Sequence, residues 1–129
     1  MKLYFGHPID TYDTPLETEL IQKIQDFFPF YFVENPNQPH HQIGYKIYKQ
    51  ETGNGMTYYY ENVLPDMNAG VFLPFEDGMF GAGVWAEANF LHELAKPIYE
   101  INLEGKISKL ELDENRELSI QETRDRLYS

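Results

Sequence analysis

The sequence predicts a single α/β domain, residues 1–129, built on a parallel sheet of about five strands with helices on both faces. Three observations predict it. Strand-like and helix-like patterns alternate along the chain, which is the order that crossover helices between parallel strands produce. Residues 69–75, AGVFLPF, form a continuous apolar run, the pattern of a strand buried on both faces. Two segments open with helix-capping signatures, Thr14-Pro15 with Glu17 and Ser119 with Glu122, which fix where helices start. A length of 129 residues suits one compact domain.

The elements follow in order. KLYF (2–5) reads as a short strand ending in Gly6. After the Thr14 cap, Leu16, Leu20, Ile21, Ile24 and Phe27 recur at helical spacing. PFYFVENP (29–36) reads as a second strand, closed by Asn-Pro and a polar stretch to His41. Residues 42–65 carry two patterns, a helix interrupted at Gly53-Asn54-Gly55 or a segment that is strand-like in its first half; helix is expected from about Met56 to Leu64. After Asp66 come the apolar strand 69–75 and a helix from Val84 onward. KPIYEINL (96–103) and KISKLELD (106–113) read as the fourth and fifth strands, and 119–129 as a C-terminal helix.

Composition excludes several functions. A net charge of −11 with no run of Lys and Arg argues against a nucleic-acid polymer as partner, since phosphate backbones demand a basic patch. Without cysteine there are no disulfides, thiolate metal sites or Cys nucleophiles. No stretch approaches the apolar length of a membrane span, and MKLYFGHPID lacks the core of a signal peptide; a cytoplasmic protein away from membranes is the expectation. Ten Tyr, nine Phe and one Trp exceed what a minimal core needs, so the aromatics either fill the core or line a pocket. The adjacent His40 and His41 show no third ligand at metal-binding spacing.

One residue stands out. On a helical wheel Val84, Ala88, Phe90, Leu91, Leu94 and Ala95 share one arc, with Trp85, Asn89, His92, Glu93 and Lys96 opposite. Glu87 projects from the middle of the apolar arc. A buried, unpaired carboxylate is costly, so such a group is paired, hydrogen-bonded or functional. Gly81 and Gly83 precede it, and glycine lets a backbone pass close to a ligand. The plainer alternative is that Glu87 caps a neighbouring loop or points along the helix into solvent. Its position just after a buried strand favours the carboxyl edge of the sheet, where α/β sites form.

Three segments resemble the nucleoside 2-deoxyribosyltransferase family, which includes the related nucleotide N-hydrolases: LYFGHPID (3–10), DMNAGVFLP (66–74) and GAGVWAEANFLHELAKPI (81–98). The resemblance implies a flavodoxin-like, Rossmann-related sheet and cleavage or transfer of an N-glycosidic bond. It implies that Glu87 is the nucleophile on the sugar's anomeric carbon, that Tyr4 orients it, and that Gly6-His7-Pro8 lies over the sugar or the base. His7 either binds a phosphate or base edge or faces solvent. Asp66 leads the central strand as a substrate-binding residue. The family's acid, eight residues before that Asp, falls on Tyr58 here; Glu61 is the nearest carboxylate, and Asp77, beside Glu76, is the offset counterpart of a second base-contacting acid. Neither cofactor nor metal is called for, and family members complete their pockets across a homodimer or larger assembly. The alternative is a nucleotide-binding or sensor protein of the same fold without turnover.

Overall fold

The computed structural model describes residues 1–128. Five strands form one mostly parallel sheet in the order β2-β1-β3-β4-β5: β1 is Lys2–Gly6, β2 Phe32–Glu34, β3 Ala69–Phe72, β4 Ile98–Ile101 and β5 Ile107–Lys109. The helices are α1 (Pro15–Phe27), α2 (Pro39–Thr52), α3 (Met56–Asn62), α4 (Ala82–Glu93) and α5 (Ile120–Tyr128).

Strand alternation sorts the core into two layers. Leu3 and Phe5 of β1, Ala69 and Val71 of β3 and Ile101 of β4 pack with Leu20 and Ile24 of α1. Tyr4, Phe72 and Ile98 face the other way, against α3, α4 and the Tyr45 side of α2. Helices on both faces explain why the central strands are apolar on both sides. No helix among the described residues is long and apolar enough to cross a membrane.

Differences from the sequence reading have local causes. The fifth strand is antiparallel to β4, so four strands are parallel and the edge is not. The connection is a tight turn in which Asn102 Oδ1 accepts from the N–H groups of Glu104 and Lys106 and Gly105 adopts φ +85°. So short a link suits a hairpin, whereas a parallel return needs a long crossover. The second strand covers only 32–34 of the predicted 29–36, because residues 28–31 form a turn closed by the Tyr31 N–H on the Phe28 carbonyl at 3.1 Å, with Pro29 at its second position. The ambiguous region forms two helices, α2 and α3, interrupted at Gly53-Asn54-Gly55. α2 starts inside the expected polar loop, with Pro39 at its first turn, and stops at Gly53, φ +79°. That left-handed position is where helices end on glycine.

Candidate active site

The site lies at the carboxyl end of the central strands. There α4 returns over the sheet and presents Glu87 to Tyr4 of β1. Glu87 is only 7% exposed, and its Oε2 accepts a hydrogen bond from the Tyr4 hydroxyl. No cation pairs with it among the described residues. Burial pushes the Glu87 carboxyl up to about 8, against the pull of the Tyr4 hydrogen bond. Burial, and then the adjacent Glu87 charge, raise the Tyr4 phenol well above its ordinary value.

Gly6 makes this pairing possible. A Cβ there would come within 2.6 Å of Phe72 Cδ1 and 3.2 Å of Glu87 Oε1, so a side chain would collide with the ring and crowd the carboxyl. The glycines before α4 play two different roles. Gly81 makes room for α5, since a Cβ would sit 3.2 Å from Thr123 Cγ2. Thr123 Oγ1 in turn accepts from the Ala82 N–H at 2.9 Å, capping α4 from another element. Gly83 has open space where its Cβ would be and lies on the cavity wall.

The cavity in front of Glu87 has a volume of about 380 Å³, within the range of small-molecule sites. Tyr12, Tyr45, Tyr59 and Phe75 line it, and α5 contributes Thr123 and Leu127. Burial pushes the phenols of Tyr12 and Tyr59 upward, and the Glu87 charge adds to it. The aromatic surplus thus serves both purposes read from composition, since Tyr4 and Tyr59 are core as well as wall. Lys46 lines the cavity from an exposed position on α2.

The other predicted residues divide. His7 and Pro8 line the cavity, but His7 has no nitrogen to offer. Its Nδ1 is 2.9 Å from the Phe5 carbonyl and its Nε2 2.8 Å from Glu17 Oε2, while the ring stacks on Phe5 at 4.1 Å. The solvent-exposed reading of His7 is thereby corrected: it is a buried brace for the loop after β1, with its ring on the cavity wall. Burial lowers its pKa against the pull of Glu17. Glu17 is correspondingly more than a capping residue, and Asn37 Nδ2 donates to both of its oxygens.

Asp66 is exposed in a turn before β3, at the amino end of the sheet and away from Glu87. Glu61 is exposed on α3 and lines no part of the cavity. Asp77 is also outside it, held by Arg126 of α5 at 2.7 and 2.8 Å, an exposed bidentate pair that lowers its carboxyl to about 2. Motif offset cannot locate these groups, because loop conformation decides where an offset acid lands.

Two residues escaped the helical wheel. Trp85 is buried, with Phe80 6.4 Å away, whereas Leu94 is 46% exposed. The start of α4 is covered on a second flank, where Phe80 pairs with the segment at Arg116 and Leu118, and its end runs past the sheet. The histidine pair also has a partner that spacing hid: Glu34, at the end of β2, has its ligand atom within 4.8 Å of those of His40 and His41, a trio able to hold a metal ion. The same groups satisfy one another directly, His41 through Tyr58 at 2.7 Å and Glu34 at 3.3 Å. Tyr58, eight residues before Asp66, is thus committed to His41.

A buried carboxyl beside a phenol, in an aromatic cavity, has two chemical uses. Once ionised it is a poorly hydrated, directed nucleophile or a counter-charge for a cationic centre. Searches of family models, curated proteins and solved structures found no match to this chain.

Proposed function

We propose that the chain cleaves or transfers the N-glycosidic bond of a nucleoside or nucleotide through a covalent intermediate on Glu87. The observation that carries the reading is the buried Glu87 carboxyl, hydrogen-bonded by Tyr4 and open to an aromatic cavity. Segments 3–10, 66–74 and 81–98 resemble the nucleoside 2-deoxyribosyltransferase family in the same sense. In this reading the ionised Glu87 attacks the anomeric carbon and the base departs. Water or a second base then releases the sugar, as in retaining glycosyl transfer. The aromatic walls offer faces for the base. Tyr4 holds the carboxyl in line and stabilises its charge. Only the carboxylate attacks, so the rate rises with pH through about 8.

The test is mass-spectrometric detection of free base. Wild type and Glu87→Gln are incubated with pooled nucleosides, nucleoside monophosphates and pyridinium nucleosides. Base released by wild type and absent with the variant supports the reading. Release that survives in the variant refutes it.

A second reading, a nucleotide-binding or sensor protein of the same fold, draws on the position of Glu61 and Asp77 outside the cavity. Saturable nucleotide binding without base release, equal in wild type and Glu87→Gln, would favour it. A homo-oligomer and a cytoplasmic setting belong to the same proposal. Exposed Phe27, Phe30 and Phe32 near edge strand β2, and Ile43 and Ile47 on α2, offer apolar surface to a second copy. Sedimentation velocity checks this, and a monomer across micromolar concentrations would exclude it.

A further inference from the structure

We propose that the preferred substrate is a nucleoside whose departing base carries a positive charge, an N-glycosylated pyridinium or a comparable quaternised base. The inference rests on the glycosidic reading above and deepens it. Its basis is a mismatch in the cavity: a carboxylate nucleophile and aromatic walls are present, but among the described residues that line it there is no second carboxyl and no free imidazole to protonate a leaving group.

The requirement is chemical. A neutral base leaves as an anion unless a proton is delivered to it, and positioned acids contribute about 10²–10⁴-fold in such steps. A pyridinium needs none. The Glu87 carboxylate forms a bond to the anomeric carbon, the pair of the carbon–nitrogen bond moves to the ring nitrogen, and that nitrogen's positive charge is neutralised. The products are a neutral base and a glycosyl ester on Glu87. Water then attacks the same carbon, giving the free sugar, the Glu87 carboxylate and one proton to solvent.

The groups that could act as an acid are engaged, outside the cavity, raised in pKa or exposed to solvent. Glu61 and Asp77 lie outside the cavity. His7 has both ring nitrogens occupied. The Tyr4 hydroxyl donates to Glu87. Thr123 Oγ1 lies 2.8 Å from the Ser119 carbonyl, to which it donates, and accepts from Ala82. The Tyr12 and Tyr59 phenols are pushed upward, away from useful acidity. Lys46 lines the cavity only from an exposed position.

The field of the site favours a cation. Glu87 is buried and unpaired, so its charge acts at low screening, whereas that of Lys46 is exposed and damped by water and salt. Tyr12, Tyr45 and Tyr59 line the cavity with aromatic surface, and aromatic rings attract a cation set against their faces. A bound cation also draws Glu87 toward its ionised, reactive form, which lessens the effect of burial on the carboxyl. A volume of about 380 Å³ lies at the low end of ligand cavities and suits a mononucleoside.

The test compares nicotinamide riboside with its uncharged dihydro form, which has nearly the same shape, and with thymidine and inosine. Free base is measured for wild type and Glu87→Gln, and the intact mass of the protein is measured after incubation with 2-fluoro-2-deoxy nucleosides. The expected result is a kcat/KM at least 100-fold higher for the cation, abolished in Glu87→Gln, with no falling limb at alkaline pH. Comparable rates on thymidine or inosine would overturn the inference and leave the glycosidic reading standing. So would a trapped glycosyl adduct on Glu87 without turnover of the cation. Neither base release nor adduct from any probe would sink both.

Discussion

Replacing Glu87 by Gln keeps the shape and the acceptor for Tyr4 while removing the ability to ionise. The carboxyl is raised from 4.5 to about 8 in the folded protein. A group with a raised folded pKa supports folding fully below its unfolded value, and that support is lost as pH rises through the folded value. Ionised Glu87 therefore opposes folding. With 1.36 kcal/mol per pH unit, the penalty is negligible near pH 4.5, about 3 kcal/mol at pH 7 and about 5 kcal/mol above pH 8. Urea unfolding of both proteins at pH 5, 7 and 9 measures the difference. Glu87→Gln is expected to match wild type at pH 5 and to exceed it increasingly at pH 7 and 9. A constant difference across that range would refute the claim that burial holds this carboxyl high. A variant less stable at every pH would mean that the carboxylate makes a favourable contact absent from this structure.

The remaining predictions concern neighbours of Glu87 and the arms that frame it. Tyr4→Phe removes the hydrogen bond that draws the carboxyl down, so the rising limb of a pH–rate profile moves to higher pH; an unmoved limb would separate Tyr4 from Glu87 ionisation. Gly6→Ala forces a Cβ to 2.6 Å from Phe72 and is expected to cost about 1–3 kcal/mol by thermal unfolding, with activity lost because Glu87 Oε1 is displaced. Glu61→Gln and Asp77→Asn leave base release within about twofold of wild type, as charge changes outside the cavity should at ordinary salt; a 100-fold loss in either would restore it as an acid. Arg116 donates twice to Glu100 and once to the Gly78 carbonyl and lies over the Phe80 ring at 4.7 Å. Arg116→Ala is expected to cost about 1–3 kcal/mol, read as a lower midpoint in urea.

Local and periodic features were legible along the chain. Leu20 and Ile24 gave α1 its buried stripe, Thr14 and Ser119 marked two helix starts, and AGVFLPF announced a strand covered on both faces. Glu87 was legible too, because a charge on an apolar arc is improbable unless something compensates it. Only the tertiary structure decided what depends on elements distant in sequence. Tyr4 and Glu87 are 83 residues apart, and spacing along the chain cannot show that a strand and a helix bring them into contact. The same holds for His7, whose ring nitrogens are consumed by a carbonyl two residues away and by Glu17 on the next helix. It holds for Asp77, held outside the cavity by Arg126, and for Glu34, delivered by an edge strand to His40 and His41. The antiparallel β5 was hidden for a different reason: pattern reveals a strand, but its direction is set by the length of the connection before it. Hydrophobic period fixes which face of an element is buried, and packing fixes which groups then meet.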